Sequence, residues 1–367
     1  EMYSADASAD AGGMSSITLM ENAGQAVTAA IEARWTPRPT TILCGPGNNG
    51  GDGFVVARLL AEKGWPISVG LLDDIATLRG DAKANALRWK GEVDTLALSL
   101  IDGAELIVDA LFGTGLKRPI NGIAAEIISA INQPTVSIDM PSGIHGDTGA
   151  IMGRALQAVT TVTFFRPKPG HFLMPGRQLC GELVVADIGI PEKIIDDLKP
   201  KTYRNGPLLW GSEFPVPKPN SNKYSRGHAV IVGGDQMTGA TRLAARAARR
   251  IGAGLITIAA SPNTFSIYAK EDPGNLVDTA ELHKIQSDPR ITALLVGPGA
   301  GNNNRTKLLV KTARQSDKPI VIDADAMTVF NANPNELFKI LDANCVLTPH
   351  EGEFARLFKI RGNKIER

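Results

Sequence analysis

Thr41-Ile42-Leu43-Cys44 runs straight into Gly45-Pro46-Gly47-Asn48-Asn49-Gly50-Gly51-Asp52-Gly53, and Phe54 to Lys63 then reads as a helix that Gly64 closes. Strand, glycine loop and helix in that order form the opening unit of a parallel α/β sheet. Backbone N–H groups and a helix N-terminus there face an anion at close range, so phosphate is the natural ligand. Gly45, Gly47 and Gly50 satisfy G-x-G-x-x-G, and Asp73 stands about 20 residues on, where a ribose-binding acid belongs. A dehydrogenase fingerprint and a ligand-free tight turn therefore both compete for this string. Asn48, Asn49 and Asp52 weigh against both, because they supply amides and a carboxylate that a plain pyrophosphate turn does not require. No catalytic His, Tyr-Lys pair or substrate-carboxylate arginine pattern accompanies the loop, which puts the dehydrogenase last.

Outward from this unit the same alternation continues. The β-rich runs Ile67 to Leu72, Leu106 to Ala110, Thr135 to Ile138 and Thr160 to Phe164 are separated by helical patterns. They are apolar on both alternating faces, as expected of a parallel sheet covered by helices on each side. Upstream, Met20, Ala23, Val27 and Ile31 recur at helical spacing and predict a packing helix over Met20 to Arg34. Between Pro191 and Gly227 the pattern lapses into Pro200, Pro207, Pro215, Pro217 and Pro219 among polar residues, which reads as a domain seam. It then restarts with Ala229 to Val232, Leu255 to Ala259, Ala293 to Val296, Ile320 to Ile322 and Cys345 to Thr348. The expected organisation is a first domain over 1–205, a proline-rich linker over 206–222 and a second α/β domain over 223–367. At about 140 residues past the seam the second domain is short for its class, and we expect it to be incomplete.

The bulk numbers exclude more than they assert. With 367 residues, 43% apolar and 21% charged, the chain is long enough for two cores. A net charge of +1 from 39 basic and 38 acidic residues gives no overall field for nucleic acid or an anionic membrane. No apolar run approaches the ~20 residues that span a bilayer. Cys44, Cys180 and Cys345 form no CxxC pair, so neither a disulfide framework nor a zinc site is indicated, and a reducing cytoplasm fits.

The string NNGGDG, preceded by LMENAG (Leu19 to Gly24), resembles the YjeF N-terminal domain, the NAD(P)H-hydrate epimerase family that includes apolipoprotein A-I binding protein. Val108-Asp109-Ala110-Leu111-Phe112-Gly113-Thr114-Gly115 and Ser137-Ile138-Asp139-Met140-Pro141-Ser142-Gly143 agree with it in order, with Met140 where the family usually has Ile. The resemblance spans roughly Met2 to Ile190 and implies a Rossmann-like three-layer domain. It implies that Asn49, Asp109 and Ser142 hold a potassium ion. It also implies that Asn48, Asn49, Gly50, Gly51, Asp52, Gly113, Thr114, Gly115, Leu116, Lys117, Arg118, Pro119 and Asp139 hold the hydrated dinucleotide. Read without it, the competing roles are a helix N-cap for Asp109 and a turn-capping carboxylate for Asp139. Epimerisation at C6 of the reduced ring needs the C–O bond or the ring to open and reclose, with a proton shuttle near C6. Asp139 is the candidate acid/base, tuned by burial toward neutral pKa, and Lys117 the second candidate. Lys168, in Pro167-Lys168-Pro169-Gly170-His171, also resembles a family segment; by itself it reads equally as a solvated turn lysine.

After the seam, Lys223 to His228, Val230 to Asp235, Gly239-Ala240-Thr241, Gly297-Pro298-Gly299-Ala300-Gly301, Asp323-Ala324-Asp325-Ala326 and Thr348 to Glu353 resemble the YjeF C-terminal family. Its fold is ribokinase-like. This implies a dehydratase that spends ADP (ATP in eukaryotic members) with Mg2+ to phosphorylate the C6 hydroxyl of an NAD(P)H hydrate and regenerate NAD(P)H. In the resemblance Ala240, Gly301 and His350 contact the hydrate, and Asp323 and Asp325 help to order magnesium. No G-x-G-D segment follows His350, so the catalytic base of such enzymes is not found. The whole resembles a bifunctional nicotinamide-nucleotide repair enzyme acting on NADHX, NADPHX and ADP, and implies a homo-oligomer. A hydroxymethylpyrimidine-like small-molecule kinase and a non-catalytic nucleotide-binding scaffold are the competing readings.

Overall fold

The computed structural model describes residues 14–270 and 272–367; the first thirteen residues of the expected first domain lie outside the described residues. The chain divides into two compact units, Glu1–Asn205 with Asn363–Glu366, and Gly206–Gly362 with Arg367.

The first unit opens with helix α1 (Ser16–Glu32), strand β1 (Thr40–Cys44) and helix α2 (Asn48–Glu62). Strands β2 (Ile67–Leu71), β3 (Asp94–Thr95), β4 (Leu106–Ala110), β5 (Thr135–Ile138), β6 (Thr160–Phe164) and β7 (Glu182–Ala186) follow, with helices α3 (Gly80–Arg88) and α4 (Gly122–Ala130) between them. All seven strands run parallel in the order β3-β2-β1-β4-β5-β6-β7. The order reverses between β1 and β4, and a crevice opens beyond the strand C-termini at such a point. Strand alternation divides the core. Ile42, Cys44, Val108 and Ala110 pack with α1 and α2 residues such as Ile31 and Phe54. Leu43 and Ile107 point the other way and pack with Ile127 of α4. The unit is therefore a Rossmann-like three-layer sandwich, the class expected from strands apolar on both faces.

The first correction to the sequence reading lies here. The Asn48 to Asp52 stretch is no loop: α2 begins at Asn48, with Gly47 as its N-cap. Glycine is a poor helix former, so propensity argues for a later start. Packing overrides it. A Cβ on Gly51 would lie 2.7 Å from Met20 Sδ of α1, and one on Gly53 would lie 2.6 Å from the Ala110 Cβ of β4. The glycines let the first turn of α2 press against its neighbours.

The second unit repeats the class. Strands β8 (His228–Val232), β9 (Leu255–Ala259), β10 (Leu276–Asp278), β11 (Ala293–Val296), β12 (Ile320–Ile322) and β13 (Cys345–Leu347) are all parallel in the order β10-β9-β8-β11-β12-β13. Helices α5 (Thr238–Ile251), α6 (Asn304–Ala313) and α7 (Glu351–Phe358) follow β8, β11 and β13. Val230 and Val232 face one core while Ile231 faces another, so this sheet too is covered on both sides. Among the described residues no helix is long and apolar enough to cross a membrane.

Candidate active site

The crevice between β1 and β4 in the first unit holds a cavity of about 990 Å3. Three separate stretches meet in its wall: the first turn of α2 through Asn48, Asn49 and Asp52; the β4 loop from Gly113 to Pro119; and Asp139 at the end of β5. Gly50 and Gly51 are buried beside it and do not line it. Lys117 and Arg118 line it as exposed side chains.

Asp139 carries the chemistry of this wall. Its backbone is left-handed, with φ 65°, a conformation that aspartate adopts more readily than most residues other than glycine. Its Oδ2 accepts from the Thr114 N–H at 2.9 Å and the Thr114 hydroxyl at 2.8 Å. Its Oδ1 accepts from Thr163 Oγ1 at 3.1 Å and from Lys168 Nζ at 2.6 Å. Burial alone would raise the carboxyl, but the Lys168 ammonium, by charge and hydrogen bond, and the Thr114 donors outweigh it. They hold Asp139 well below the usual carboxylate range. The expected tuning toward neutrality is thus reversed, because the sequence reading counted burial and missed the buried cation.

That cation is Lys168, and it is no solvated turn residue: its side chain is 8% exposed and it lines the cavity. His171 fixes it. The imidazole Nδ1 accepts from the Lys168 N–H at 2.9 Å, which leaves the proton on Nε2, donated to the Asp139 carbonyl at 2.8 Å. One ring thereby ties the backbones of Lys168 and Asp139 together. Thr163, which bridges both side chains, was not singled out from sequence; it is one of three threonines in β6, and nothing local marks it from Thr160 and Thr161.

Burial, with the neighbouring Lys168 charge, lowers His171 from an ordinary 6.5 to about 4. Between those values an acidified unfolded chain binds a proton that the folded one refuses, so stability is full above pH 6.5 and lost as pH falls toward 4. The loss is about 3 kcal/mol for this shift. Urea midpoints of the first unit should fall over that interval, and a His171→Gln variant should lack this part of the fall; equal slopes in both proteins would refute the assignment.

Behind Gly113 lies an oxygen-rich cluster. Asp109 and Ser142 are fully buried; Ser142 donates from Oγ at 2.5 Å and from N at 2.8 Å, and Ser137 Oγ donates at 2.8 Å. Burial pushes the Asp109 carboxyl up against these bonds, and each of its partners is neutral. Asn49 Oδ1 and Nδ2 are buried with no hydrogen-bond partner among the described residues. Asn49 Oδ1 lies 3.2 Å and Asp139 Oδ2 2.8 Å from where a Cβ on Gly113 would sit. The oxygen donors of Asn49, Asp109 and Ser142 are of the kind that hard cations take. No cluster of three or more His, Cys, Asp or Glu that would hold a different metal occurs among the described residues.

In the second unit Ala240 lies in the first turn of α5, Gly301 after β11 and His350 before α7. Since β8, β11, β12 and β13 are consecutive and parallel, these segments leave one edge of the sheet. Asp325 Oδ2 accepts from the Gly301 N–H at 2.8 Å, and Asp323 Oδ1 from the Thr348 hydroxyl at 2.7 Å. Ala324 between them has φ 46° and ψ −117°, a strained backbone for a residue with a Cβ. His350 is exposed, and its Nδ1 accepts from the Gly352 N–H at 3.0 Å as the N-cap of α7.

Residues 16–170 match the family described as YjeF-related protein N-terminus, and residues 229–367 match the NAD(P)H-hydrate dehydratase family. Over 97% of its length the chain is 36% identical to a protein of Coxiella burnetii named bifunctional NAD(P)H-hydrate repair enzyme Nnr, covering 74% of that protein. Relatives of the same name in Moorella thermoacetica and Escherichia coli are 37% and 31% identical, over 96% and 98% of the chain and 72% and 70% of theirs.

Proposed function

Because the chain belongs to the family of bifunctional NAD(P)H-hydrate repair enzymes, we propose that its first unit interconverts the R and S forms of hydrated NADH and NADPH at C6, and that its second unit serves their dehydration. The observation that carries the first half is the meeting of Asn48, Gly113 to Pro119 and Asp139 around one cavity at the β1/β4 reversal. A helix N-terminus and two basic side chains there suit the phosphates. An ionised carboxylate beside the ring suits the cationic character that N1 and C6 acquire as the hydroxyl departs. Asp139 acts as a fixed anion in this reading. It is not the neutral-range acid expected from sequence, and Lys117 stands as a phosphate-side cation.

Asn49, Asp109 and Ser142 would hold potassium, whose charge would stabilise the Asp109 carboxylate and order the Phe112–Gly113 backbone. In the second unit, Ala240, Gly301 and His350 are the residues we assign to the hydrate. Asp323 and Asp325 are assigned to the Mg2+ of the ADP that the reaction consumes. Supplied with one epimer of NADH hydrate in potassium chloride, the chain should bring the R/S ratio to equilibrium far faster than a protein-free control, and faster than in lithium chloride. Equilibration at the control rate would sink the reading, and equal rates in the two salts would remove potassium from it.

A further inference from the structure

We propose that Lys168 is a catalytic residue of the epimerisation, the group that protonates the C6 hydroxyl as it leaves and takes the proton back when water returns to the opposite face. The inference rests on the epimerase reading above and deepens it. Three observations on the first unit carry it.

The first is selection among cations. Of the cavity-lining cations among the described residues, Lys117 and Arg118 are exposed, and Lys168 is buried against Asp139. The second is donor count. An ammonium has three N–H bonds; one goes to Asp139 Oδ1 at 2.6 Å and one to Thr163 Oγ1 at 2.7 Å. That leaves one for whatever fills the cavity. The third is rigidity. Lysine loses rotamer freedom at a cost, yet here its backbone is pinned by His171 and its head by two oxygens, so a proton is held in place before substrate arrives.

Charge bookkeeping favours the step. The C6–O bond breaks with its electron pair going to oxygen, the Lys168 proton joins that oxygen, and water departs. N1 donates its lone pair to C6, giving an iminium ring and a neutral Lys168 amine. The positive charge has moved from Nζ to the substrate, and the Asp139 carboxylate faces it before and after. No net charge is created beside this buried pair, where separating charge would be most costly. Water then attacks either face of C6, and its surplus proton returns to the amine. Atoms and electrons balance without an oxidant or a second reactant.

The test follows NADH-hydrate epimer ratios with wild-type chain, Lys168→Ala and Lys168→Arg. Lys168→Ala should lose about 100-fold or more in kcat with KM within about threefold, and ethylammonium added to the assay should restore at least tenfold. Tetramethylammonium, with equal charge and no proton, should restore nothing. Lys168→Arg keeps the ion pair and fold but holds its proton too tightly to give it, so it should bind hydrate and turn over as poorly as Lys168→Ala. Wild-type-like turnover in either variant, no rescue by ethylammonium, or equal rescue by tetramethylammonium would overturn the assignment while leaving the epimerase reading intact. A wild-type chain that does not accelerate equilibration would overturn the epimerase reading itself, and the role of Lys168 with it.

Discussion

Asp139→Asn should slow epimerisation by about two to three orders of magnitude while the cavity keeps its shape. The replacement is isosteric, so Thr114 still finds an acceptor at one position of the new side chain. What disappears is the anion that faces Lys168 Nζ at 2.6 Å and, in the proposed reaction, the ring. Stability should suffer as well, because the variant strands a buried ammonium beside neutral oxygens, a loss of about 3–5 kcal/mol when one partner of a buried pair is removed. Rate and stability must therefore be separated. In the double variant Asp139→Asn/Lys168→Met the stranded charge is gone, and the urea midpoint should recover most of its fall. The rate should not recover. Turnover of the single variant within about threefold of wild type would show that the carboxylate charge is dispensable. Rescue of rate by the double variant, which also lacks Lys168, would show that the first loss was only structural and that the lysine is dispensable as well.

How much of this was legible beforehand depended on how local each signal was. Strand β1 was expected at Thr41 to Cys44 and occupies Thr40–Cys44, because a strand covered on both faces carries β-branched and apolar residues on each, and that pattern lies within a few residues. The edge strands β3, β7 and β10 escaped notice; all three are exposed or half-buried throughout, so neither face is under the pressure to be apolar that marks the inner strands. The glycine-rich string was visible but misassigned to a loop, since contacts with Met20 and Ala110, far away in sequence, decide that it is helical. Lys168 shows the limit most clearly. Nothing in Pro167 to His171 reveals burial. Its partner lies 29 residues upstream, and only the parallel pairing of β5 with β6 brings the two strand ends together. Missing that pair also gave the wrong sign for Asp139, because burial raises a lone carboxyl whereas an adjacent cation and three further donors lower it.

Gly50→Ala should damage the first unit far more than the same change at Gly47 in the glycine string. On helix propensity alone alanine should help, by at most about 1 kcal/mol and less in a first turn. Against that, the new Cβ would lie 1.9 Å from the Gly45 carbonyl oxygen and 2.8 Å from its carbon. Both are backbone atoms that no rotamer change can move. Gly45 in turn has no room to retreat, since its own Cβ position is 1.8 Å from the Leu111 carbonyl oxygen at the end of β4. Relief requires α2 to lift away from β1 and β4, opening contacts of the core on that face. Overpacking of this kind costs about 3 kcal/mol or more, so the clash outweighs the propensity gain. Asn49 precedes the new methyl group in the same turn, and a shift of about 1 Å there would lower turnover about 100-fold. Gly47→Ala is the matching control: its Cβ would meet nothing within 4 Å and its φ of −100° suits any residue. It should change the urea midpoint by the equivalent of less than about 1 kcal/mol. Unfolding followed by tryptophan fluorescence, to which the buried Trp65 contributes, distinguishes the two. A Gly50→Ala midpoint indistinguishable from that of Gly47→Ala would mean that the first turn of α2 is not wedged between β1 and β4, and that the glycines serve the ligand alone.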